Sequence, residues 1–310
     1  MVVVFILLFT ILLCILGLGY YVFYQACARK KEIAWLVEEE IKDTPYGKYY
    51  ECMVDADKWL KDNGAEDVYI RASDGVKLHG VFVKAPNAKG TLLFAHGYRS
   101  TPILDFGVAL PFYHEIGFNV LVPDQRCHGK SEGKFITFGV KESGDMLCWI
   151  DYHNSMNPTL PIILSGMSMG ASTMLFLANE PLPDNVKGII ADCGFTSPKA
   201  IISEVFSKVT HLPAIPVIWA VDMFARIFAG FNLSQKDTKI SLKDNRLKIF
   251  MVHGMKDDFV PCSMSQDGYA ACSGEKELFL VENAGHGVSF LVAPDEYQER
   301  LIRFIKNALK

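Results

Sequence analysis

The stretch that most limits how this chain can fold is PIILSGMSMGASTM, residues 161–174. A run of aliphatic residues stops at Ser165, and Gly166-Met167-Ser168-Met169-Gly170 leads into Ala171-Ser172-Thr173-Met174. A buried strand that turns sharply into a helix between two glycines holds the middle serine at the apex of the turn, with its hydroxyl uncovered. Such a turn is strained and persists only where a larger sheet holds both of its arms. The helix N-terminus adds oriented N–H dipoles that favour negative charge developing beside the serine. The G-x-S-x-G spacing alone is weak; the strand before it and the helix after it give it weight.

The remainder of the 310 residues supplies that sheet. Strand-like runs fall at 67–72, 76–84, 90–95, 118–123, 161–165, 187–192, 247–253 and 277–282. Ser73-Asp74-Gly75 joins the first two as a hairpin. Most of the later runs are continuous and aliphatic, as parallel strands buried on both faces must be. Helical segments near 103–116, 140–154, 169–179 and 294–309 lie between or after them. The rhythm predicts an α/β fold: a mostly parallel eight-stranded sheet with helices on both faces, opened by an antiparallel hairpin.

If Ser168 is a nucleophile, it needs a base within hydrogen-bond reach and a carboxylate to orient that base. His286, in Glu282-Asn283-Ala284-Gly285-His286-Gly287 just after the last strand, is the candidate base. His96, His128 and His253 compete, but His96-Gly97 and His253-Gly254 end strands and His128-Gly129 sits in a turn. Asp257, in the loop after the seventh strand, is the candidate acid; Asp258 is its nearest rival and Asp192 a more distant one. The order Ser168, Asp257, His286 runs nucleophile, acid, base. Backbone N–H groups of Met169 and of Tyr98, after the third strand, are the expected oxyanion donors.

These motifs together resemble the α/β-hydrolase-fold serine hydrolases, in particular the bacterial group related to serine aminopeptidases and lysophospholipase-like esterases. The resemblance covers roughly residues 65–310. It rests on His96-Gly97, on Asp124-Gln125-Arg126-Cys127-His128-Gly129-Lys130-Ser131, on Gly166 to Gly170, on His253 through Pro261 and on Gly285-His286. It implies the α/β-hydrolase fold, no cofactor, and a helical cap between strands six and seven. Relatives usually carry glycine where Cys127 stands, which puts the shape of that loop, not the three candidate catalytic residues, in question. Asp124 and Arg126 read as braces for the loop.

Two regions lie outside the strand–helix rhythm. Val2 to Tyr24 contains no charge, and as a helix it is about 34 Å long, enough for a hydrocarbon core of about 30 Å. Tyr20, Tyr21 and Tyr24 gather at one end, where interfacial aromatics belong. Residues 1–28 are therefore expected to be an uncleaved transmembrane anchor. Ala26-Cys27-Ala28 resembles a signal-peptidase site, but the apolar run is long and no basic segment precedes it. Arg29-Lys30-Lys31 after the run places the bulk of the chain on the cytoplasmic side. Residues 29–64 read as a helical neck, with Ile33, Leu36, Val37 and Ile41 at helical spacing, then Tyr49, Cys52, Met53, Ala56 and Leu60. Asn63-Gly64 is its stop, and the hydrolase domain follows over 65–310. The second exception is 195–236, a cap or lid whose segment 217–231 is apolar almost all round, broken by Asp222 and Arg226. Such a helix must be covered on every side, by protein or by membrane.

Composition excludes little more. A net charge of −4 gives no reason to expect nucleic acid. The eight cysteines lack C-x-x-C spacing and read as free thiols, and the histidines show no metal-ligand pattern, so no metal is expected; that no cofactor is needed is what the resemblance implies. The expected partners are an acyl ester or lipid-like small molecule and, through the first helix, the bilayer. Ester or thioester cleavage is the leading expectation. The same three residues would serve a peptidase or an acyltransferase, and a membrane-tethered binding module is the alternative outside enzymes. A serine at the elbow disfavours epoxide-hydrolase and dehalogenase chemistry, which needs a carboxylate there.

Overall fold

The computed structural model describes residues 1–30, 38–43 and 47–310. Eight strands form one sheet: β1 (Glu66–Arg71), β2 (Lys77–Val83), β3 (Gly90–Ala95), β4 (Phe118–Pro123), β5 (Ile162–Met167), β6 (Val186–Asp192), β7 (Lys248–Gly254) and β8 (Lys276–Val281). Their order is β1-β2-β4-β3-β5-β6-β7-β8. β2 pairs antiparallel with both β1 and β4, and every later pairing is parallel. The eight runs expected from sequence are these strands, shifted by a residue or two at their ends.

The sheet is the core. Along β3, Leu92 and Phe94 join one buried cluster with Tyr113, Phe250 and Phe304, while Leu93 and Ala95 join the opposite one with Met146, Trp149 and Met174. That alternation is the two-residue period of a strand with helices on both faces. Each fully buried Leu or Phe contributes about 1.5–3 kcal/mol of transfer free energy, and every residue of β3, β4 and β5 is buried.

The helix Val2–Cys27 is long and apolar enough to cross a membrane. Its first two-thirds is exposed, but Gly19, Phe23 and Cys27, four residues apart on one face, are buried. Gly19 and Phe23 pack on the helix Ile215–Phe224 of the 195–236 insertion. A Cβ at position 19 would lie 2.3 Å from Ala220 Cβ, so only glycine permits this approach. Tyr20 packs edge-on against Phe224 at 5.3 Å, and Phe23 stacks on Phe228 at 6.0 Å. Beyond the helix, Ala28 bridges to Phe135, and the Arg29 guanidinium donates to the carbonyls of Ser131 (2.7 Å) and Gly129 (2.8 Å). One of the three basic residues that suggested membrane sidedness is thus committed to the fold.

In the neck region, Ile33, Leu36, Val37 and the Ile41 side chain lie outside the described residues. The helix Tyr50–Asp62 buries Met53, Ala56 and Leu60 and is capped at Asn63. In the insertion, a helix Pro198–Thr210 precedes Ile215–Phe224, which loosens into a π-turn at Ala225–Ala229 and stops at Gly230. The two charges that interrupt its apolar surface meet: Arg226 Nε donates to Asp222 at 2.7 Å, and Asp222 also accepts the Leu233 N–H. Ile215, Trp219, Ile227 and Phe228 stay exposed. The eight cysteines are free thiols.

Candidate active site

Ser168 sits between β5 and the helix Met169–Leu175 with φ 53° and ψ −116°, a left-handed backbone that costs a non-glycine residue on the order of 1–3 kcal/mol. Its neighbours hold it there. The Ser168 N–H donates to the Asp192 carbonyl of β6 at 2.8 Å, and a Cβ at position 170 would fall 1.8 Å from the Ala95 carbonyl oxygen. The turn therefore presses directly on the end of β3, and glycine is obligatory at its exit.

The structure brings Ser168, His286 and Asp257 into one hydrogen-bonded chain. His286 Nε2 lies 2.9 Å from Ser168 Oγ, and His286 Nδ1 lies 2.7 Å from Asp257 Oδ2. Asp257 also accepts the N–H groups of Phe259 (2.9 Å) and Val260 (2.8 Å). Burial alone would raise the Asp257 carboxyl; hydrogen bonds from His253 and His286 outweigh it and hold the group well below the usual carboxylate range. Its rivals are elsewhere. Asp258 is exposed, and the Asp192 carboxylate accepts from Ser289 Oγ (3.3 Å) and Tyr297 Oη (3.2 Å).

The competing histidines have other partners. His96 Nδ1 donates to the Gly97 carbonyl while its Nε2 accepts the Gln125 N–H at 2.9 Å. Burial pushes this imidazole down to about 3, which keeps it the neutral acceptor this geometry requires. His128 Nε2 accepts the Arg99 N–H at 3.0 Å. His253 has a larger part than its place at a strand end implied: its Nε2 faces the Val260 carbonyl at 3.0 Å and Asp257 Oδ2 at 3.2 Å. Both are acceptors, so Nε2 carries the proton and Asp257 receives a second imidazole.

The loop after β3 approaches from the other side. A Cβ on Gly97 would lie 3.3 Å from Ser168 Cβ, and the Gly97 N–H donates to Asp105 Oδ2 at 2.5 Å. The N–H groups of Tyr98 and Met169, the two expected oxyanion donors, have no hydrogen-bond partner among the described residues. The Tyr98 ring lines the cleft and stacks on Phe138 at 5.2 Å. Burial raises its hydroxyl to about 12, and that hydroxyl donates to the Ala26 carbonyl of the N-terminal helix at 2.8 Å.

Cys127 adopts φ 68°, the left-handed conformation that favours glycine, so the residue itself carries the backbone strain of this turn. Its side chain is buried in the same cluster as Phe23 and Cys27 of the N-terminal helix. Arg126 pairs with Asp145 (2.6 Å) and Asp74 (2.9 Å), while Asp124 pairs with His79 (2.6 Å). Ligand atoms of Cys193, Asp257 and His286 come within 4.8 Å of one another, a grouping the sequence did not show. Burial raises the Cys193 thiol well above its ordinary value, and a protonated thiol is a poor metal ligand.

Above Ser168 lies a cavity of about 320 Å³. Phe138, Phe195, Ile202, Phe206 and Phe259 are among its walls, and none of its lining residues is charged. Leu18, Tyr21, Val22, Gln25 and Ala26 of the N-terminal helix complete it. Sequence reasoning missed these residues, because the run was read only as a membrane span; Gly19 within it, whose Cβ would meet Ala220, was the available signal of close helix packing.

A model of the serine aminopeptidase S33 family matches residues 86–218, a span that includes the elbow but ends before Asp257 and His286. The esterase Pf2001 of Pyrococcus furiosus shares the fold with a TM-score of 0.66 at 25% identity, over 81% of this chain and 94% of that one. The chain is an α/β-hydrolase-fold protein. Among curated sequences, the chain is 26% identical to the Bacillus subtilis protein YqkD over 77% of its own length and 78% of the relative's. It is also 25% identical to human alpha/beta hydrolase domain-containing protein 17C, over 80% of this chain and 68% of that one.

Proposed function

We propose that this protein is a serine hydrolase that cleaves the carboxylic ester or thioester of a lipophilic acyl substrate through an acyl-enzyme on Ser168. The observation that carries the reading is the chain from Ser168 Oγ through His286 to Asp257 at the base of an uncharged, apolar cavity. His286 Nε2 takes the proton as Ser168 Oγ attacks the acyl carbonyl, and the N–H groups of Tyr98 and Met169 receive the oxyanion. The imidazolium then protonates the departing alcohol or thiol. Water, deprotonated by His286, adds to the acyl-enzyme; collapse releases the acid and returns the proton to Ser168. Asp257, ionised and fully partnered, keeps Nδ1–H directed toward itself and offsets the imidazolium charge.

Peptidase chemistry uses the same groups, and the matched family is described as serine aminopeptidase. The uncharged cavity favours an acyl chain over a charged peptide terminus. The deciding experiment is labelling of full-length protein with a fluorophosphonate, beside Ser168→Ala. Labelling that disappears in the variant, with ester turnover reduced on the order of 10⁶-fold, is the expected result. Unchanged turnover in Ser168→Ala would end the proposal.

The helix Val2–Cys27 is read as a retained membrane anchor. Cleavage after Ala28 would strip Phe23 and Cys27 from the core and remove the carbonyls that Tyr98 and Arg99 bind, which argues against a signal peptide. The basic cluster at 29–31 supports a cytoplasmic catalytic domain. A reporter fused after Lys310 that is active only outside the cytoplasm would reverse that orientation.

A further inference from the structure

We propose that the membrane helix is itself one wall of the acyl site, and that the substrate is an ester resident in the bilayer whose chain enters sideways along that helix. This inference rests on the hydrolase reading above. Leu18, Tyr21 and Val22 line the cavity together with Ile202, Val205 and Val209, and the same cavity reaches the buried Ser168. At the rim, Tyr21 and Val209 are 59% and 74% exposed, so an apolar edge borders the opening on both sides.

The length of the helix places that rim at the lipid. Gly19, Phe23 and Cys27 are buried against the protein, which leaves Val2–Leu18 to span. Those residues reach about 25 Å at 1.5 Å each, short of a hydrocarbon core of about 30 Å. The shortfall is met by exposed Leu212, Ile215, Trp219, Ile227 and Phe228 of the insertion, the type of residue that seats a surface in the interface. The cavity thus opens where acyl chains already are, and a chain passes from lipid into protein without crossing water.

The same helix end is coupled to the chemistry. The Arg99 guanidinium binds the Gln25 carbonyl at 2.5 Å and the Ala28 carbonyl at 3.3 Å, and the Tyr98 hydroxyl binds the Ala26 carbonyl. The loop that carries the Tyr98 N–H is therefore fastened to the residues that line the acyl channel.

The test uses full-length protein in phosphatidylcholine vesicles, with p-nitrophenyl laurate and p-nitrophenyl butyrate as substrates. Val22→Trp fills the cavity, and Leu18→Trp does so from a more exposed position in case the first variant folds poorly. The ratio of kcat/KM for the long ester to that for the short one cancels any loss of active enzyme. The expected result is a fall of at least about tenfold in that ratio, since a few methylenes denied an apolar pocket discriminate by that much or more. An unchanged ratio in both variants overturns the proposal. In a second arm, laurate ester supplied in vesicles is compared with the same ester delivered on albumin. Faster turnover from vesicles is expected, and equal or faster turnover from albumin removes the bilayer as the source. If the wild type hydrolyses neither ester and Ser168 takes no fluorophosphonate, the parent reading has failed and this one falls with it.

Discussion

The two sides of the cleft are built on opposite physics. On the sheet side, polar atoms are paired at fixed distances: Ser168 to His286, His286 to Asp257, and Asp257 to two N–H groups and a second histidine. On the side formed by the insertion and the N-terminal helix, the wall is methyls and rings, held by close packing at Gly19 and Ala220. Hydrogen bonds are directional and penalise small displacements, so the first side suits chemistry. Dispersion and apolar burial are non-directional, so the second suits shape selection among chains.

That contrast is broken most forcefully at Asp257. Asp257→Asn should lower kcat roughly 10⁴-fold, because the wrong tautomer of His286 is then favoured. Asp192→Asn, at an equally buried carboxylate that does not bond His286, should leave most activity intact. Steady-state kinetics on one short ester compares the two, and similar losses in both variants would show that the acid has been misassigned.

On the apolar side the expected change is in stability. Gly19→Leu forces a side chain into Ala220 and should cost about 1–3 kcal/mol, seen as a lower melting temperature. Turnover of the short ester by the folded fraction should change little. A large fall in short-ester kcat with normal melting would mean that the packing of the helix governs the chemistry directly.

A further effect is a pH dependence. Burial pushes the Asp192 carboxyl up to about 6, against about 3.9 for an unfolded aspartate. A folded-state value above the unfolded one favours the protonated form in the fold. The associated stability is fully present below the unfolded value and is lost as pH rises through the folded one. The melting temperature of the wild type minus that of Asp192→Asn should therefore fall between about pH 4 and pH 7 and level off above. A difference that rises with pH would contradict the direction of the shift. Asp105 and Asp145, also raised to about 6, are common to both proteins and cancel in the difference.

How much of this was legible depends on whether the signal was local. β3 and β5 announce themselves as unbroken aliphatic runs because both faces are buried, and Gly166 and Gly170 mark the elbow because no larger residue fits. His286 and Asp257 could be named from their places in loops after the right strands. The role of His253 could not be read, since its approach to Asp257 depends on how the β7 loop folds back on its own strand end. Cys127 is intermediate: the resemblance marked the position as one for glycine, and only the backbone shows that cysteine keeps glycine's φ.

By itself, then, the sequence determined the sheet, the turn that holds Ser168, the order of its partners and the presence of a long apolar helix. The tertiary structure decided where the last third of that helix goes. Lipid and protein interior are almost equally apolar, so a hydrophobic run carries no mark of which will cover each of its faces. Only the close approach of Gly19 to Ala220, and the carbonyls that Tyr98 and Arg99 hold, make part of a long apolar helix into a wall of the cleft.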